Sequence, residues 1–402
     1  MPIMQDAPMA YFNPSRPSYL EDPYPSLARL RRERDVYRSA ELQLWVVTTY
    51  EGNEQVCRDE AFSADATHAR ARWADFAADT AAHTVLGAAK RMSGSDKPDH
   101  ERLRRVVGSV FSARAIAATR TQLEALATRL LDEVADGDFD FAALARTYVG
   151  ESIMAHLGVP PADREQLGLW SRTVILAARV ADAPQAAAEA CAGLAAYLRG
   201  TPTDGREAGA LELIAAAERD GQITEAEMVG LAADLVVAGY DASVGLLTNG
   251  VHALVTHPHE YVRVRTGEAA APIAVEELLR FDAPVQAVFR FARRETVLGS
   301  VRIPAGDGVV AMLGAGNRDP AKFPDPDRLD LTRDDGRPLS FSLGAHHCIG
   351  ASLARAAAAV MIEALTHRFP LLRVSRAQSA VRRADWLNRS FTALPLSTTA
   401  AG

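Results

Sequence analysis

The chain is predicted to be mainly α-helical with a minor β region, and three observations on its 402 residues carry that prediction. Ala-rich segments with an apolar period of 3.6 residues cover Thr121 to Ala135, Ala186 to Leu198 and Ala351 to His367. Runs typical of strands are short and scattered. Apolar residues make up 48% of the chain, and no long Gly/Ser or Pro-rich linker interrupts it. We therefore expect a single domain over residues 1–402.

The longest predicted helix begins after Thr224, which together with Glu227 has the spacing of a capping box, and it continues to about Val255. A helix of that length is expected to cross the core. The segment from Val288 to Val310 alternates branched apolar residues with turn residues, which predicts a small system of β-hairpins. A second β region is expected around Ser390 to Leu396.

Charge and cysteine content exclude several classes of protein. The net charge of -7 argues against nucleic acid as a partner, because phosphate binding needs a concentrated basic face. Cys57, Cys191 and Cys348 form no Cys-x-x-Cys pair, so neither a disulfide framework nor a structural zinc site is indicated, and a reducing cytoplasm is expected. The start of the chain has no signal-peptide pattern, and Asp234 and Asp241 interrupt the most apolar stretch. We expect no membrane anchor and no export.

One loop carries the clearest chemical signal. Between Phe341 and Arg355, a Gly-containing segment brings Cys348 to the start of an Ala-rich helix, where the helix dipole and free N–H groups favour a metal-bound thiolate. Gly344 and Gly350 would let other groups approach closely. For a lone cysteine, a buried structural role is the ordinary alternative. Zinc held by Cys348 and its two preceding histidines is less favoured, because adjacent residues seldom converge on one tetrahedral ion.

This loop resembles the cysteine-ligand loop of cytochromes P-450, Phe-Gly-x-Gly-x-His-x-Cys-x-Gly. The matching residues are Phe341, Gly344, His346, Cys348 and Gly350. The first Gly of the pattern is replaced by Ser342, a departure that removes no ligand. The resemblance implies the triangular, mainly α cytochrome P-450 fold, one heme b with Cys348 as the axial ligand of its iron, and O2 as co-substrate.

Further matches follow the family's order along the chain. Glu277 and Arg280 resemble the Glu-x-x-Arg motif, in which two side chains one helical turn apart form an ion pair, and Arg328 is expected to join them. His100 and Arg104 match positions that hold the heme propionates and fall at i, i+4 on one helix face. Arg290 matches a third such position, and His346 is a candidate for a fourth.

Residues 235–243 resemble the family's distal, oxygen-activating helix. Gly239 would permit local widening of that helix, and Asp241 matches the acid of its acid–alcohol proton relay. The alcohol is missing: Ala242 replaces the usual Thr, and Ser243 follows one position later, about 100° around the helix. Three mechanisms remain open, namely a substrate hydroxyl with ordered water, an imperfect substitution by Ser243, or radical coupling with little need for a second proton. Some macrolactone hydroxylases of the family share the Ala-Ser pattern, which favours the first.

The resemblance implies a monomeric, cytoplasmic monooxygenase that hydroxylates or epoxidises a small molecule, with electrons from ferredoxin and ferredoxin reductase. Arg102, Arg105 and Arg355 are candidates for ferredoxin docking, and no nicotinamide or flavin fingerprint is present. A bulky, largely apolar substrate of polyketide, macrolide or cyclic-peptide type is expected from the mostly apolar predicted pocket walls. Those walls are Trp73 to Val85, Leu167 to Val180, Val237, Ala238, Val285 to Phe289 and the turn near Phe391. An oxidative C–C or C–O coupling enzyme and a non-catalytic recruitment domain are the alternatives.

Overall fold

The computed structural model describes residues 9–10, 12–70, 90–134, 137–176, 184–201 and 209–398. Most of the regular structure is helical, as predicted. The α-helices are α1 Pro17–Glu21, α2 Tyr24–Glu33, α3 Tyr50–Arg58, α4 Asp99–Val107, α5 Ala113–Asp132, α6 Phe141–His156, α7 Arg164–Leu176, α8 Pro184–Gly200, α9 Ala210–Arg219, α10 Glu225–Thr256, α11 Pro258–Arg265, α12 Ala271–Phe281, α13 Leu313–Gly316 and α14 Ala351–Arg368. The strands are β1 Met9–Ala10, β2 Val36–Ser39, β3 Trp45–Val47, β4 Phe62–Ser63, β5 Asp138–Asp140, β6 Val288–Ala292, β7 Thr296–Leu298, β8 Val301–Ile303, β9 Gly308–Ala311, β10 Arg373–Val374, β11 Val381–Arg382, β12 Phe391–Ala393 and β13 Pro395–Ser397.

The principal sheet has six strands in the order β1-β2-β3-β9-β6-β4. In it β3 lies parallel to β9, with Trp45 opposite Val309, and β6 lies antiparallel to β9, with Arg290 opposite Val309. Alternate residues of β3 and β9, namely Trp45, Val47, Val309 and Ala311, are buried together with Val56 and Cys57 of α3. Strands β7 and β8 form a hairpin, and β12 and β13 lie in the predicted C-terminal β region. Both predicted β regions are therefore confirmed.

Helix α10 has 32 residues and agrees closely with the helix predicted from Thr224 to Val255. Its capping box is formed: the Glu227 backbone N donates to Thr224 Oγ1 at 3.2 Å, and Glu227 Oε2 accepts from the Thr224 backbone N at 2.9 Å. By length and composition this helix is apolar enough to cross a membrane. Within the described residues, 61% of its apolar window is buried inside the protein, as in the core helix of a soluble protein.

The chain divides into two compact units, each built from separate stretches of sequence. The first unit comprises Met1–Phe62, Arg120–Val149 and Asp241–Gly402. The second comprises Ser63–Thr119 and Gly150–Tyr240. The boundaries fall inside β4, α5, α6 and α10, so each of these elements begins in one unit and ends in the other. The principal sheet and the cysteine loop belong to the first unit, whereas α4 belongs to the second.

Candidate active site

The cysteine loop ends in a short 3-10 turn, Gly344–His346, followed by Cys348 and the start of α14. The Cys348 backbone N donates to the Phe341 carbonyl at 2.9 Å, which closes the loop on itself. Gly350 is the residue that caps α14. Cys348 is exposed, whereas Cys57 is buried. An exposed thiol at a helix N-terminus contradicts the alternative of a buried structural cysteine.

The loop rests on α3. Gly344 has a φ of +70°, and a Cβ at this position would lie 2.5 Å from the Cys57 carbonyl oxygen, so only glycine fits. Ser342 also has a positive φ, of 57°, and its hydroxyl donates to Cys57 Sγ at 3.5 Å. A Cβ at Gly350, by contrast, would approach only Cys348 Sγ, at 3.9 Å. The protein therefore leaves space beside the sulfur at Gly350 and fixes the loop at Gly344.

Phe341, at the start of the loop, is held by α14 and α12. The Arg355 guanidinium lies 4.4 Å from the centre of the Phe341 ring and forms an ion pair with Glu276 of α12. Arg355 was predicted as a docking residue for an acidic partner, but this guanidinium already has a carboxylate and a ring as neighbours. Its structural effect is to connect the cysteine loop to the helix that carries Glu277.

The predicted Glu-x-x-Arg ion pair is formed and buried. Arg280 Nε lies 2.6 Å from Glu277 Oε2, and Arg280 Nη2 lies 2.8 Å from Glu277 Oε1. The prediction that Arg328 joins them through its guanidinium is wrong. The Arg328 side chain is 69% exposed, and only its backbone carbonyl accepts a bond from Arg280. Arg333, with 8% of its side chain exposed, supplies the second guanidinium of this network, 3.4 Å from Glu277 Oε1.

The cationic residues predicted to hold propionates lie on three elements. His100 and Arg104 stand one turn apart on α4, with His100 fully buried and Arg104 half-buried. Arg290 is buried in β6, where its Nη1 donates to the Phe289 carbonyl at 2.7 Å. His346 lies in the 3-10 turn beside the cysteine. The structure thus brings Arg290, His346 and Cys348 into the first unit and places the α4 pair in the second.

The two other predicted docking arginines also lie on α4. Arg102 forms ion pairs with Glu227 and Asp99, at 2.6 Å and 3.0 Å, so its charge is largely neutralised within the protein. Burial raises the pKa of Glu227. The hydrogen bond from Arg102 and the capping contacts with Thr224 together have the larger effect, so the pKa lies below its usual value. Arg105 is exposed, and it keeps the character expected of a docking residue.

The centre of α10 differs from its ends. Residues 226–236 and 244–251 are largely buried, whereas residues 237–243 are exposed or half-buried. No π-helical turn widens the helix at Gly239, where the backbone is α-helical throughout. A Cβ at Gly239 would lie 3.1 Å from Ile153 Cδ1, so this glycine permits close packing against α6. The predicted widening is therefore not seen, and Gly239 has a packing role instead.

This central stretch carries Asp241 and Ser243, the two residues predicted for proton relay, and also Tyr240. Asp241 Oδ2 forms an ion pair with Arg383 Nη1 at 3.0 Å. The Ser243 hydroxyl makes no hydrogen bond to any described residue, unlike Thr248 of the same helix, which donates to the Val244 carbonyl. Ser243 thus keeps a hydroxyl available to an external group, and Ala242 between them has none.

The predicted pocket walls are only partly within the described residues. Residues 73–85 lie outside them, and so does the end of the Leu167 to Val180 segment. Val285, Val288 and Phe289 are half-buried, as a pocket wall would be. Phe391 is buried beside Arg382 and His252, at 4.1 Å and 4.7 Å from its ring centre. Phe391 also lines a cavity of about 730 Å³.

That cavity surrounds a buried ion cluster centred on Asp282. Arg389 Nε and Arg382 Nη2 lie 2.6 Å and 3.1 Å from its carboxylate, and the Tyr24 hydroxyl donates to it at 3.0 Å. Burial raises the pKa of Asp282, but the two arginines outweigh it and hold the pKa below its usual value. The remaining arginine donors bond to backbone carbonyls of α1 and to Asn249. The cluster therefore fastens the C-terminal β region to α10, α12 and the N-terminal helices.

The donor set fits a heme better than a bare metal ion. Among the described residues, no three His, Cys, Asp or Glu side chains lie close enough to share one ion. A single accessible thiol at a helix N-terminus can supply one ligand to an iron. The space at Gly350 leaves room beside the sulfur. Histidine and arginine side chains can bind the two propionate carboxylates of a heme. The residues present are consistent with a thiolate-ligated porphyrin.

Comparison with known proteins decides the family. A sequence model described as Cytochrome P450 matches residues 272–383. The chain is 34% identical over 366 residues to cytochrome P450 monooxygenase PikC of Streptomyces venezuelae, covering 88% of this chain and 85% of that protein. The chain belongs to the cytochrome P450 family. It is also 36% identical to 6-deoxyerythronolide B hydroxylase of Saccharopolyspora erythraea, over 77% of this chain and 78% of the relative.

Among solved structures, the P450 enzyme CxnD, titled for C–S bond formation in chuangxinmycin biosynthesis, superposes with a TM-score of 0.83 at 27% identity over 94% of each chain. The predicted mainly α P450 fold is thereby confirmed. The protein is a P450 monooxygenase that uses heme and O2. Bacterial members of the family act on small molecules and take electrons from ferredoxin and its reductase.

Sequence reasoning missed two arginines at this site. Arg333 follows Arg328 by five residues in a segment without regular structure, where no periodicity indicates which side chain turns inward. Arg383 directly follows Arg382, the last residue of β11, and nothing in its sequence context connects it to α10. The one sequence feature that could have indicated these roles is local composition, because several arginines occur near each position.

Proposed function

We propose that this P450 hydroxylates or epoxidises a bulky, largely apolar secondary metabolite of polyketide, macrolide or cyclic-peptide type. The exposed thiol of Cys348 at the loop–helix junction is the observation that carries the heme-thiolate part of the proposal. The relative named for hydroxylation of 6-deoxyerythronolide B supports the substrate class. We also propose that the chain folds as one P450 domain over residues 1–402 and acts as a cytoplasmic monomer.

In this proposal Cys348 would hold the heme iron through its sulfur, and the N-terminus of α14 favours the thiolate form of Cys348. When bound, heme supplies the iron at which O2 is activated. Arg290, His346, His100 and Arg104 are the residues proposed to bind its propionates. Gly350 keeps the space beside the sulfur free of side chain. Arg355 orients the loop through Phe341 and takes no part in the chemistry.

Proton delivery is assigned to the centre of α10. Inserting one oxygen atom from O2 into a substrate releases the other as water, so the two electrons must be matched by two protons. Asp241 is placed to take protons from solvent, because its side chain is 42% exposed. Ala242 cannot relay them further. A hydroxyl of the substrate with ordered water would complete the path, and the available Ser243 hydroxyl is the second candidate.

Oxidative C–C or C–O coupling is the alternative reaction, and the structural similarity to a P450 of C–S bond formation supports keeping it. Coupling removes hydrogen from the substrate and inserts no oxygen. Mass spectrometry of the product from 18O2 separates the two: one labelled oxygen indicates hydroxylation or epoxidation, and loss of two hydrogens indicates coupling. A recruitment domain without catalysis would not need Cys348, which is retained.

The first test is the absorption spectrum of the reduced holoenzyme with carbon monoxide. We expect the strongly red-shifted Soret band of a thiolate-ligated heme in the wild type and its loss in Cys348→Ala. Cys191→Ala is the matched control and should retain the band, since burial raises the pKa of the Cys191 thiol to about 11 and no ligand role is assigned to it. A histidine-type spectrum in the wild type, or an unchanged band in Cys348→Ala, would contradict the proposal.

A further inference from the structure

Arg383 is the only charged partner of Asp241 among the described residues, and it comes from the C-terminal β region. Its Nη1 lies 3.0 Å from Asp241 Oδ2. The Arg383 backbone N donates to the Ser390 carbonyl at 3.0 Å, and its Nε lies 3.7 Å from Asp385. The Arg383 backbone is therefore fixed by its pairing with Ser390. The guanidinium contacts two carboxylates, those of Asp385 and of Asp241 on α10.

The two oxygens of Asp241 have different surroundings. Oδ2 contacts Arg383, whereas Oδ1 accepts no hydrogen bond from any described residue. Asp241 lies in the exposed central stretch of α10, where its side chain is 42% accessible. One oxygen is thus fixed by a cation and the other is open to water. This arrangement sets the plane of the carboxylate and the direction in which Oδ1 points.

A purely structural role explains this ion pair poorly. Ion pairs between two partly exposed side chains contribute little to stability, because solvent screens them and two long side chains lose conformational freedom. The Arg383 side chain is 34% exposed, and its β region is already fastened by the buried cluster at Asp282. The stronger consequence of the pair is orientation, since a guanidinium is always charged and holds a carboxylate in a defined geometry.

We infer that Arg383 is a positioning residue for proton delivery, which holds Asp241 so that Oδ1 exchanges protons with solvent and passes them toward the centre of α10. The inference rests on the proposed role of Asp241 as the proton-relay acid. Each proton comes from bulk water, resides on Oδ1 and leaves to a water or hydroxyl, after which the carboxylate is ionised again. No electron passes through Arg383, and the guanidinium keeps its proton throughout.

The test compares holoenzymes carrying Arg383→Gln, Arg383→Lys and Asp241→Asn, with Arg302→Gln as the matched control. Arg302 forms a similarly exposed ion pair, with Glu295, elsewhere in the first unit. NADH, ferredoxin and reductase drive O2 reduction without added organic substrate, in H2O and in D2O. We expect Arg383→Gln to slow O2-dependent NADH oxidation on the order of tenfold and to increase the solvent isotope effect. Arg383→Lys should recover most of the rate, and Arg302→Gln should match the wild type.

An infrared measurement gives a readout independent of turnover. The carboxylate stretch of Asp241, isolated as a difference against Asp241→Asn, should shift in Arg383→Gln because the ion pair is lost. The reduced carbon monoxide spectrum should be unchanged, since Arg383 is not assigned to the heme. An unshifted stretch would overturn the inference, and so would loss of the thiolate spectrum in Arg383→Gln, which would indicate a structural role.

The outcomes separate the two proposals. If Asp241→Asn is impaired while Arg383→Gln behaves as the wild type, the positioning role of Arg383 is wrong and the relay role of Asp241 stands. If neither variant changes the rate or the isotope effect, the relay role of Asp241 fails, and the positioning role fails with it. An equal slowing in Arg383→Gln and Arg383→Lys, without a larger isotope effect, would also contradict positioning.

Discussion

Ser342 holds a backbone conformation that residues with a Cβ seldom adopt. Its φ of 57° lies in the left-handed region, and the corresponding position of the P450 loop pattern is glycine. The side chain is buried, and its hydroxyl donates to Cys57 Sγ at 3.5 Å. A weak O–H to sulfur bond offsets only part of the cost of a left-handed serine. The cysteine loop of this chain is therefore strained at one residue, six positions before Cys348.

Replacement of Ser342 by glycine should stabilise the protein. Relief of the left-handed conformation contributes about 1–2 kcal/mol, and the greater freedom of glycine in the unfolded chain removes about half of it. We expect a net gain of about 0.5–1 kcal/mol in the free energy of unfolding, measured from the urea midpoint of the holoenzyme. Asp325→Gly, at a φ of 45° and with an exposed side chain, is the control for relief alone. A lower midpoint in Ser342→Gly would show that the contact with Cys57 outweighs the strain.

At the scale of elements, the ion pair of α12 acts through the segment that follows α13. Arg280 bonds to Glu277 and also donates to the backbone carbonyls of Asn317, Pro326 and Arg328. Glu277 Oε1 accepts from the Asp330 backbone N at 3.0 Å. A segment without regular structure is thus held by bonds from two buried side chains to its backbone. Arg333 completes this network by donating to the carbonyls of Pro324 and Asp325.

Arg333 and Arg328 provide a matched pair for a mutational test. Arg333→Ala removes a buried guanidinium and leaves Glu277 and two carbonyls with fewer partners, so we expect a loss of about 2–4 kcal/mol in the free energy of unfolding. Arg328→Ala should change it by no more than about 0.5 kcal/mol, because its side chain is exposed and its carbonyl remains. Urea unfolding of both variants checks this. The reverse order would show that the Arg328 side chain, as the sequence predicted, joins the network.

At the scale of the whole molecule, the sequence predicted what depends on local pattern. The capping box at Thr224 predicted α10, and the loop before Cys348 predicted a cysteine at a helix start, because these features depend on neighbours in the chain. Arg333 and Arg383 could not be predicted. Their contacts depend on how two segments without regular structure pack against α12 and α10. In the segment before Arg333, the positive φ at Asp325 helps to determine the course of the backbone.

Acid stability of the whole molecule should depend on His252, near the C-terminal end of α10. Burial, followed by the positive charge of the nearby Arg382, lowers the pKa of His252 to about 4. Arg389 and His257 also lower this pKa, whereas the Asp282 carboxylate raises it. In the unfolded chain the pKa is near 6.5. The folded protein therefore binds fewer protons than the unfolded chain between these values, so the free energy of unfolding falls as the pH drops from about 6.5 to about 4.

Replacing the imidazole should remove that part of the pH dependence. Between about pH 7 and about pH 4.5 the wild type should lose about 2–3 kcal/mol more of its unfolding free energy than His252→Gln, measured by urea unfolding at both pH values. His259→Gln is the control, because the His259 side chain is 83% exposed. Equal losses in the wild type and His252→Gln would mean that His252 is already accessible to protons in the folded protein. In that case the packing of Phe391 between His252 and Arg382 would have to open without unfolding the C-terminal β region.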